Sequence, residues 1–89
     1  MRITNVEITN SLREYLSKRL SKVERHFGPD VTANVSVATE PIGYRAEITI
    51  PVNGLLIRAE EGSADIYSAI DLVVDKIVRQ VNRFRGKLQ

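Results

Sequence analysis

The chain has 89 residues, of which 43% are hydrophobic and 27% are charged, and it contains no cysteine. These values are typical of one small globular domain, and they exclude a disordered chain, a disulfide scaffold and a cysteine-based metal or nucleophile site. The formal net charge is only +2, yet residues 76–89 hold five Lys or Arg residues and no acid.

The first predicted helix follows a short N-terminal segment. Met1–Ile8 alternates weakly between apolar and polar residues, which predicts a first strand that is short or absent. Thr9 and Ser11 are both suitable N-caps, and Gly28 ends the helix as a left-handed C-cap. One continuous helix between these limits has a predicted buried stripe of Leu12, Leu16, Leu20, Val23 and Phe27.

Three segments with strict alternation predict strands, at Val31–Thr39, Tyr44–Ile50 and Leu55–Glu60. Short turns join them into an antiparallel meander, and Asn53-Gly54 is a strong hairpin signal. The residues predicted to face inward are Val31, Ala33, Val35, Val37, Ala46, Ile48, Ile50, Leu55, Ile57 and Ala59.

The last predicted helix is Asp65–Gln89, because apolar residues recur every three or four positions. They are Ile66, Ala69, Ile70, Val73, Ile77, Val81 and Phe84. The whole chain therefore predicts an α+β domain of order βαβββα, with an antiparallel sheet and two helices on one of its faces. The opposite face of the sheet is expected to be polar.

Both predicted helices carry cations beside their apolar stripe. In the first helix they include Lys18, Lys22 and Arg25, and a solvated charged face would explain them equally well. In the last helix the cations fit the helix dipole, but five without an acid exceed what a dipole worth ~0.3–1 kcal/mol per charge requires. The pattern indicates an anionic partner.

Catalytic motifs are not evident in the sequence. The five glycines are isolated, so no phosphate-binding loop is predicted, and the single histidine, His26, cannot plausibly anchor a Ser-His-Asp set. Asp71 and Asp75 are four residues apart, but a solvated acidic face explains them better than a metal or acid pair. We expect no enzyme, cofactor or small-molecule substrate. No apolar run reaches the ~18 residues of a membrane span, and no signal peptide is evident, which predicts a cytoplasmic protein.

Two segments of the last helix resemble a known family. DIYSAID at 65–71 and DKIVRQ at 75–80 resemble the signature D-M-Y-x-A-I-D-x-x-x-D-K-L-x-R-Q of the ribosome hibernation promoting factor (protein Y) family. NVEIT at 5–9 resembles the first segment of that family. Ile66, Ser68 and Ile77 depart from the signature by small or apolar exchanges. The resemblance implies a βαβββα sandwich similar to double-stranded-RNA-binding domains, with a clipped first strand.

The resemblance also implies a function. Members of this family bind ribosomal RNA of the small subunit between head and body, and block translation in stationary or stressed cells by occupying the mRNA and tRNA channel. By that resemblance the RNA-binding residues are Arg19, Lys22, Lys76, Arg79 and Arg83. The geometry of the two basic flanks adds Lys18, Arg25, Arg85 and Lys87.

Other interpretations stay open at this stage. A generic double-stranded-RNA-binding module would need the same basic surface. A protein–protein module, or a homodimer, could form through an exposed sheet edge. Residues 1–89 are expected to be a single domain without the C-terminal dimerisation domain of long family members, and the sequence does not decide between a short form and the N-terminal domain of a long form.

Overall fold

The computed structural model describes residues 1–4 and 8–87, with side chains through residue 83. This part of the chain has four strands and three helices in the order β1-α1-α2-β2-β3-β4-α3. Their bounds are β1 Arg2–Thr4, α1 Asn10–Arg19, α2 Ser21–Phe27, β2 Thr32–Glu40, β3 Gly43–Val52, β4 Leu55–Ser63 and α3 Ile66–Lys87. The part of the predicted first strand at residues 5–7 and the predicted end of the last helix at Gln89 lie outside the described residues.

The strands form one sheet in the order β1-β2-β3-β4. The three long strands make the predicted antiparallel meander, in which Val35 lies opposite Ile48 and Ile48 lies opposite Ala59. The first strand has only three residues and runs parallel to β2, with Ile3 opposite Ala33. The sheet is therefore mixed rather than wholly antiparallel, because the helical connection returns the chain to the end of the sheet where β1 begins.

The first helix is divided in two, whereas the sequence pattern predicted a continuous one. Leu20 ends α1 and precedes α2 with φ −91° and ψ 9°, outside the usual helical region. The backbone carbonyl of Leu20 still accepts hydrogen bonds from the amides of Val23 and Glu24, at 3.0 and 3.2 Å. Leu16, Leu20 and Val23, which lie before, at and after the bend, are all fully buried.

Both ends of this helical region have recognisable caps. Thr9, one of the two predicted caps, accepts a hydrogen bond from the amide of Leu12 at 3.1 Å through its hydroxyl oxygen. Gly28 ends α2 with φ 94° and ψ 171°. This is a positive-φ conformation that glycine adopts readily, but it is extended rather than the predicted left-handed helical cap.

The core lies between the helices and one face of the sheet. Most residues of the predicted stripes are buried, but Phe27, Val37 and Ile66 are only half-buried, and the side chain of Phe84 lies outside the described residues. Val74 is buried in addition to the predicted residues of α3. Leu55 was predicted to face inward, but its side chain is 47% exposed, because it lies at the tip of the β3–β4 hairpin beyond Ile57. None of the described helices is long and apolar enough to cross a membrane.

The opposite face of the sheet is polar, as predicted. It carries arginines and glutamates of β3 and β4 that lie on neighbouring strands. Arg45 contacts Glu40 and Glu60 at 3.2 and 3.3 Å, and Arg58 donates to Glu47 at 3.0 Å. These exposed cations therefore have acidic partners within the sheet.

Candidate nucleic-acid interface

A groove runs between α2 and α3 on the helical side of the molecule. It consists of two adjoining depressions of about 250 and 270 Å³, which share Lys22, Arg25 and Val78. Buried valines lie beneath it and basic side chains line its rim, and we call it the α2–α3 groove. Its lining residues are Lys18, Arg19, Ser21, Lys22, Val23, Arg25, His26, Val74, Asp75, Val78, Val81 and Asn82.

A second groove lies on the other side of α3, against the edge strand β4, with a volume of about 450 Å³. We call it the α3–β4 groove. Gln80 of α3 donates to the backbone carbonyl of Arg58 at 2.8 Å, and Lys76 reaches the carbonyl of Glu60 at 3.5 Å. Its lining residues are Arg58, Ala59, Glu60, Lys76, Arg79, Gln80 and Arg83.

The cations of the two grooves differ in their partners. Lys18, Lys22 and Arg25 are exposed, and no ion pair joins them to an acid in the part of the chain that the structure describes. In the α3–β4 groove Lys76 forms an ion pair with Glu61, and Arg58 with Glu47. An acid beside a cation reduces its attraction for a further anion, so Lys18, Lys22 and Arg25 attract an anion more strongly than Lys76 and Arg58 do.

Arg19 joins α1 to α3. Its guanidinium lies 3.3 Å from the carboxylate of Asp71 and 3.1 Å from that of Asp75. The hydroxyl of Tyr15 also donates to Asp71, and this hydrogen bond, followed by burial, raises the pKa of Tyr15. The ring of Tyr15 packs edge-on against Tyr67, with ring centroids 5.1 Å apart. Asp71 and Asp75 therefore tie the two helices together, which their spacing in the sequence did not predict.

The remaining predicted cations lie along α3. Arg79 and Arg83 are exposed in the α3–β4 groove, and the guanidinium of Arg79 donates to the backbone carbonyl of Asp75 at 3.4 Å. Arg85 and Lys87 belong to the last turns of α3, but their side chains, like that of Phe84, lie outside the described part. The structure thus places seven of the nine predicted residues in two grooves that flank one helix.

Sequence reasoning missed several residues that line these grooves. Arg58 of β4 is not among the predicted site residues, and Gln80 enters the sequence analysis only as part of the resemblance. Val78 and Asn82 of the α2–α3 groove were not singled out as site residues at all. The helical spacing of Val74, Val78 and Val81 was the available signal, because these positions share one side of α3. Among the described residues no group of three or more His, Asp or Glu side chains could hold a metal ion.

The whole chain matches one known protein family. The family model described as Sigma 54 modulation protein / S30EA ribosomal protein matches residues 1–89. The chain belongs to this family. Two curated relatives carry the name ribosome hibernation promotion factor. The one from Picosynechococcus sp. (strain ATCC 27264 / PCC 7002 / PR-6) is 38% identical over 93% of this chain. The one from Staphylococcus aureus (strain COL) is 36% identical over 94% of this chain. The predicted family is confirmed, and neither family nor relatives carry the name of an enzyme.

The chain spans about half the length of these relatives, since the matches cover 46% of each. Two solved structures resemble the whole fold. The N-terminal domain of Thermus thermophilus Protein Y matches with a TM-score of 0.76 and 39% identity, over 92% of this chain and 91% of that one. A ribosomal subunit interface protein from Coxiella burnetii matches with a TM-score of 0.77 and 21% identity, over 97% and 99%, which shows a shared fold. The predicted α+β fold class is thereby confirmed.

Proposed function

We propose that this domain binds ribosomal RNA of the small ribosomal subunit through the two grooves that flank α3, and that it inhibits translation by occupying the mRNA and tRNA channel. Its family membership and the names of its relatives support a ribosome-associated role. Such a role places the protein in the cytoplasm, in line with the expectation from the sequence. The proposed RNA-binding residues are Lys18, Arg19, Lys22, Arg25, Lys76, Arg79, Arg83, Arg85 and Lys87.

The proposal rests on one observation, which is where on the surface the cations without an acidic partner lie. Arg45 and Arg58 on the open face of the sheet are each paired with glutamates, and Arg58 also borders the α3–β4 groove. On the helical side Arg19 and Lys76 have acidic partners. The helical cations without an ion pair among the described residues are Lys18, Lys22, Arg25, Arg79 and Arg83. Cations without acidic partners favour a polyanion as ligand, so the helical side is the side that faces RNA.

The mechanism needs no chemical step. Lys and Arg side chains neutralise phosphates and release the counterions condensed on RNA, and a folded domain in the channel then excludes mRNA and tRNA. For about six phosphate contacts, the logarithm of the affinity should fall with the logarithm of salt concentration with a slope on the order of −4 to −5. Arg19 is already paired with Asp71 and Asp75. It therefore binds a phosphate only by giving up part of its contact with these carboxylates, and contributes less than an unpaired cation.

The test is co-sedimentation of the domain with isolated small ribosomal subunits at low and raised salt. Binding should saturate, weaken steeply with salt and compete with mRNA or tRNA. The variant Arg79→Glu with Arg83→Glu should lose most of this binding while it keeps its fold. Binding that is insensitive to salt, or retained by the folded double variant, would contradict the proposal.

A matched pair of single variants isolates the position of the charge. Arg79→Gln and Arg45→Gln remove the same charge from exposed side chains, one in a groove and one on the open sheet face. We expect Arg79→Gln to weaken subunit binding and Arg45→Gln to leave it nearly unchanged. Equal losses would mean that net charge alone governs binding.

The two alternatives predict different results. A generic double-stranded-RNA-binding domain would bind an isolated RNA duplex as tightly as it binds the subunit, because it reads duplex shape. A homodimer through a sheet edge would give concentration-dependent dimers without affinity for RNA. At the β4 edge side chains of α3 engage the carbonyls of Arg58 and Glu60, whereas at the opposite edge β1 pairs with only three residues of β2.

A further inference from the structure

A pocket opens at the end of the domain where α1 and α3 begin, apart from both grooves. It has a volume of about 390 Å³ and lies where β2 ends and β3 begins. Ile8, Val37, Tyr44 and Ile66 line it as half-buried side chains, and Tyr67 lines it with 41% of its surface exposed. We call it the tyrosine pocket. A ligand can touch these apolar side chains, because they reach the surface and are not closed off in the core.

The lining of the tyrosine pocket differs from that of the two grooves. Each groove is lined by Lys and Arg side chains, whereas no residue that lines the tyrosine pocket carries a charge. Its exposed surface is mostly apolar and includes the ring of Tyr67. An accessible apolar pocket of this size suits one bulky apolar side chain of a partner.

The surroundings of the tyrosine pocket are acidic. The segments that meet at this end of the domain, residues 8–14, 37–47 and 60–71, hold seven Asp or Glu residues and two arginines. The segments that carry the grooves show the reverse, because residues 18–25 and 72–83 hold seven Lys or Arg residues and two acids. The domain is therefore negative at the end with the pocket and positive on the surface with the grooves.

Two acids lie near Tyr67 at the start of α3. Asp65 is exposed, directly precedes the helix and has no ion pair among the described residues. Asp71 contacts Arg19 and accepts a hydrogen bond from Tyr15, whose ring packs edge-on against Tyr67 with centroids 5.1 Å apart. Acids beside an exposed aromatic ring attract Lys and Arg, and the face of the ring adds a cation–π contact. The charge of the pocket therefore favours a basic partner.

We propose that the tyrosine pocket is a docking site for a basic segment of a partner protein. The segment inserts one bulky apolar side chain against Tyr44 and Tyr67 and places its Lys or Arg residues near Asp65. This surface lies apart from the RNA-binding grooves, so the inference does not depend on the proposed function. An RNA strand fits this end less well because its phosphates would meet acids. A second copy in a symmetric dimer would likewise bring acids against acids.

The first experiment measures the affinity of the 89-residue chain for three short labelled peptides by fluorescence anisotropy. One peptide has several Lys and Arg residues around a central Phe, the second has Gly in place of the Phe, and the third has Ser in place of the Lys and Arg. We expect the first to bind about tenfold more tightly than the second, because it buries an aromatic side chain. At low salt it should bind about three- to tenfold more tightly than the third, and this ratio should shrink as salt rises.

Two matched pairs of variants locate the contact. Tyr67→Ser removes apolar surface in the pocket, and Leu72→Ser removes it at a similarly exposed position of α3 outside the pocket. Asp65→Asn keeps an acceptor for the amide of Ser68, and Asp30→Asn removes the same charge at an exposed position before β2. Tyr67→Ser should bring the affinity ratio of the Phe and Gly peptides close to one. Asp65→Asn should weaken binding of the basic Phe peptide about two- to threefold, and both controls should match the unmodified protein.

A second measurement stays informative if Tyr67→Ser does not fold. In NMR spectra of the unmodified protein, the methyl signals of Ile8, Val37 and Ile66 should shift when the basic Phe peptide is added, and shift much less with the Gly peptide. The methyl signals of Val78, which lines the α2–α3 groove, should stay in place. A single-stranded RNA oligonucleotide should neither shift the three pocket signals nor displace the peptide.

The opposite outcomes are equally clear. Equal affinity for the Phe and Gly peptides, with unshifted pocket methyls, would overturn the docking site while salt-sensitive subunit binding kept the proposed function intact. Equal affinity for the Phe peptides with and without charges would overturn the basic character of the partner. Displacement of the peptide by RNA that shifts the same methyls would identify an RNA contact instead, and concentration-dependent shifts in the protein alone would identify self-association. Peptide binding without subunit binding would support the docking site and overturn the ribosomal role.

Discussion

The two grooves beside α3 use the same kinds of cation in different surroundings. In the α2–α3 groove Lys18, Lys22 and Arg25 have no ion pair among the described residues, whereas Arg19 is paired with Asp71 and Asp75 of α3. In the α3–β4 groove Arg58 and Lys76 are paired with glutamates of the sheet, whereas Arg79 and Arg83 have no ion pair among the described residues. Each groove therefore combines paired and unpaired cations, and the two differ in which element supplies the acids.

This difference shows why counting cations is a poor guide to a binding surface. The strand β4 supplies Glu60 and Glu61 directly beside the α3–β4 groove, whereas α2 carries no acid that meets Lys22 or Arg25. The position of the acids, rather than that of the cations, distinguishes the grooves. The predictions below test this contrast.

The largest effect, on the stability of the fold, is expected from Leu20→Ala, which removes a core side chain between α1 and α2. Leu20 is fully buried at the bend between α1 and α2, and its truncation should lower the free energy of unfolding by about 2–5 kcal/mol. The α3–β4 groove rests on the packing of α3 against the sheet and should be less affected. Urea denaturation provides the measurement.

Leu72→Ala is the control for this change, since Leu72 lies on α3 with 43% of its surface exposed. It should alter the free energy of unfolding by no more than about 0.5 kcal/mol. A loss below about 1 kcal/mol for Leu20→Ala would show that α2 is not held by that side chain.

The next largest effect concerns the salt dependence of RNA binding. Lys22→Ala with Arg25→Ala should reduce the magnitude of the log–log salt slope by about 2, one for each lost phosphate contact. Arg58→Ala with Lys76→Ala should reduce it by less than about 1, because glutamates already neutralise these cations. Titration of a fluorescent RNA at several salt concentrations measures both. Equal reductions in the two double variants would remove the distinction between the grooves.

A smaller effect is expected from the hydrogen bond that ties α1 to α3. Tyr15→Phe removes the hydrogen bond to Asp71 and should cost about 0.5–1.5 kcal/mol. Because the folded protein raises the pKa of Tyr15 above its ordinary value of 10.0, this contribution is complete below that pH and is lost as pH rises further. Unfolding measured across the alkaline range should thus show a steeper loss of stability for the unmodified protein than for the variant. Parallel curves for the two proteins would contradict this.

The smallest effect is a gain. Glu61→Gln releases Lys76 from its ion pair and should raise the affinity of the domain for RNA by about two- to threefold, since an exposed pair is worth ~0.2–1 kcal/mol. The charge-matched control is Glu14→Gln, at an exposed position of α1 that lines neither groove. An equal gain in both variants would assign the effect to overall charge.

Much of the architecture could be predicted from periodicity because burial on one face imposes it. Alternation in β2–β4 and the three-to-four spacing in α3 identified strands, helix and core, and Thr9 and Asn53-Gly54 marked a cap and a turn. The bend at Leu20 could not be predicted from periodicity. No Gly or Pro marks it, and the apolar spacing is the same whether the helix is continuous or divided.

The candidate site likewise has features that the local sequence predicts and features that depend on tertiary contacts. The local sequence determined which residues carry charge and on which side of each helix they lie, because helical geometry relates positions three and four apart. Only the tertiary structure decided which cations meet acids: Arg19 meets Asp71 and Asp75 from 52 or more residues away, and Lys76 meets Glu61 across a helix–strand contact. The buried valines likewise lie beneath Lys22 and Arg25 only because α2 packs beside α3. Charge and periodicity are local properties of the chain, whereas electrostatic compensation and the shape of a groove depend on contacts between distant segments.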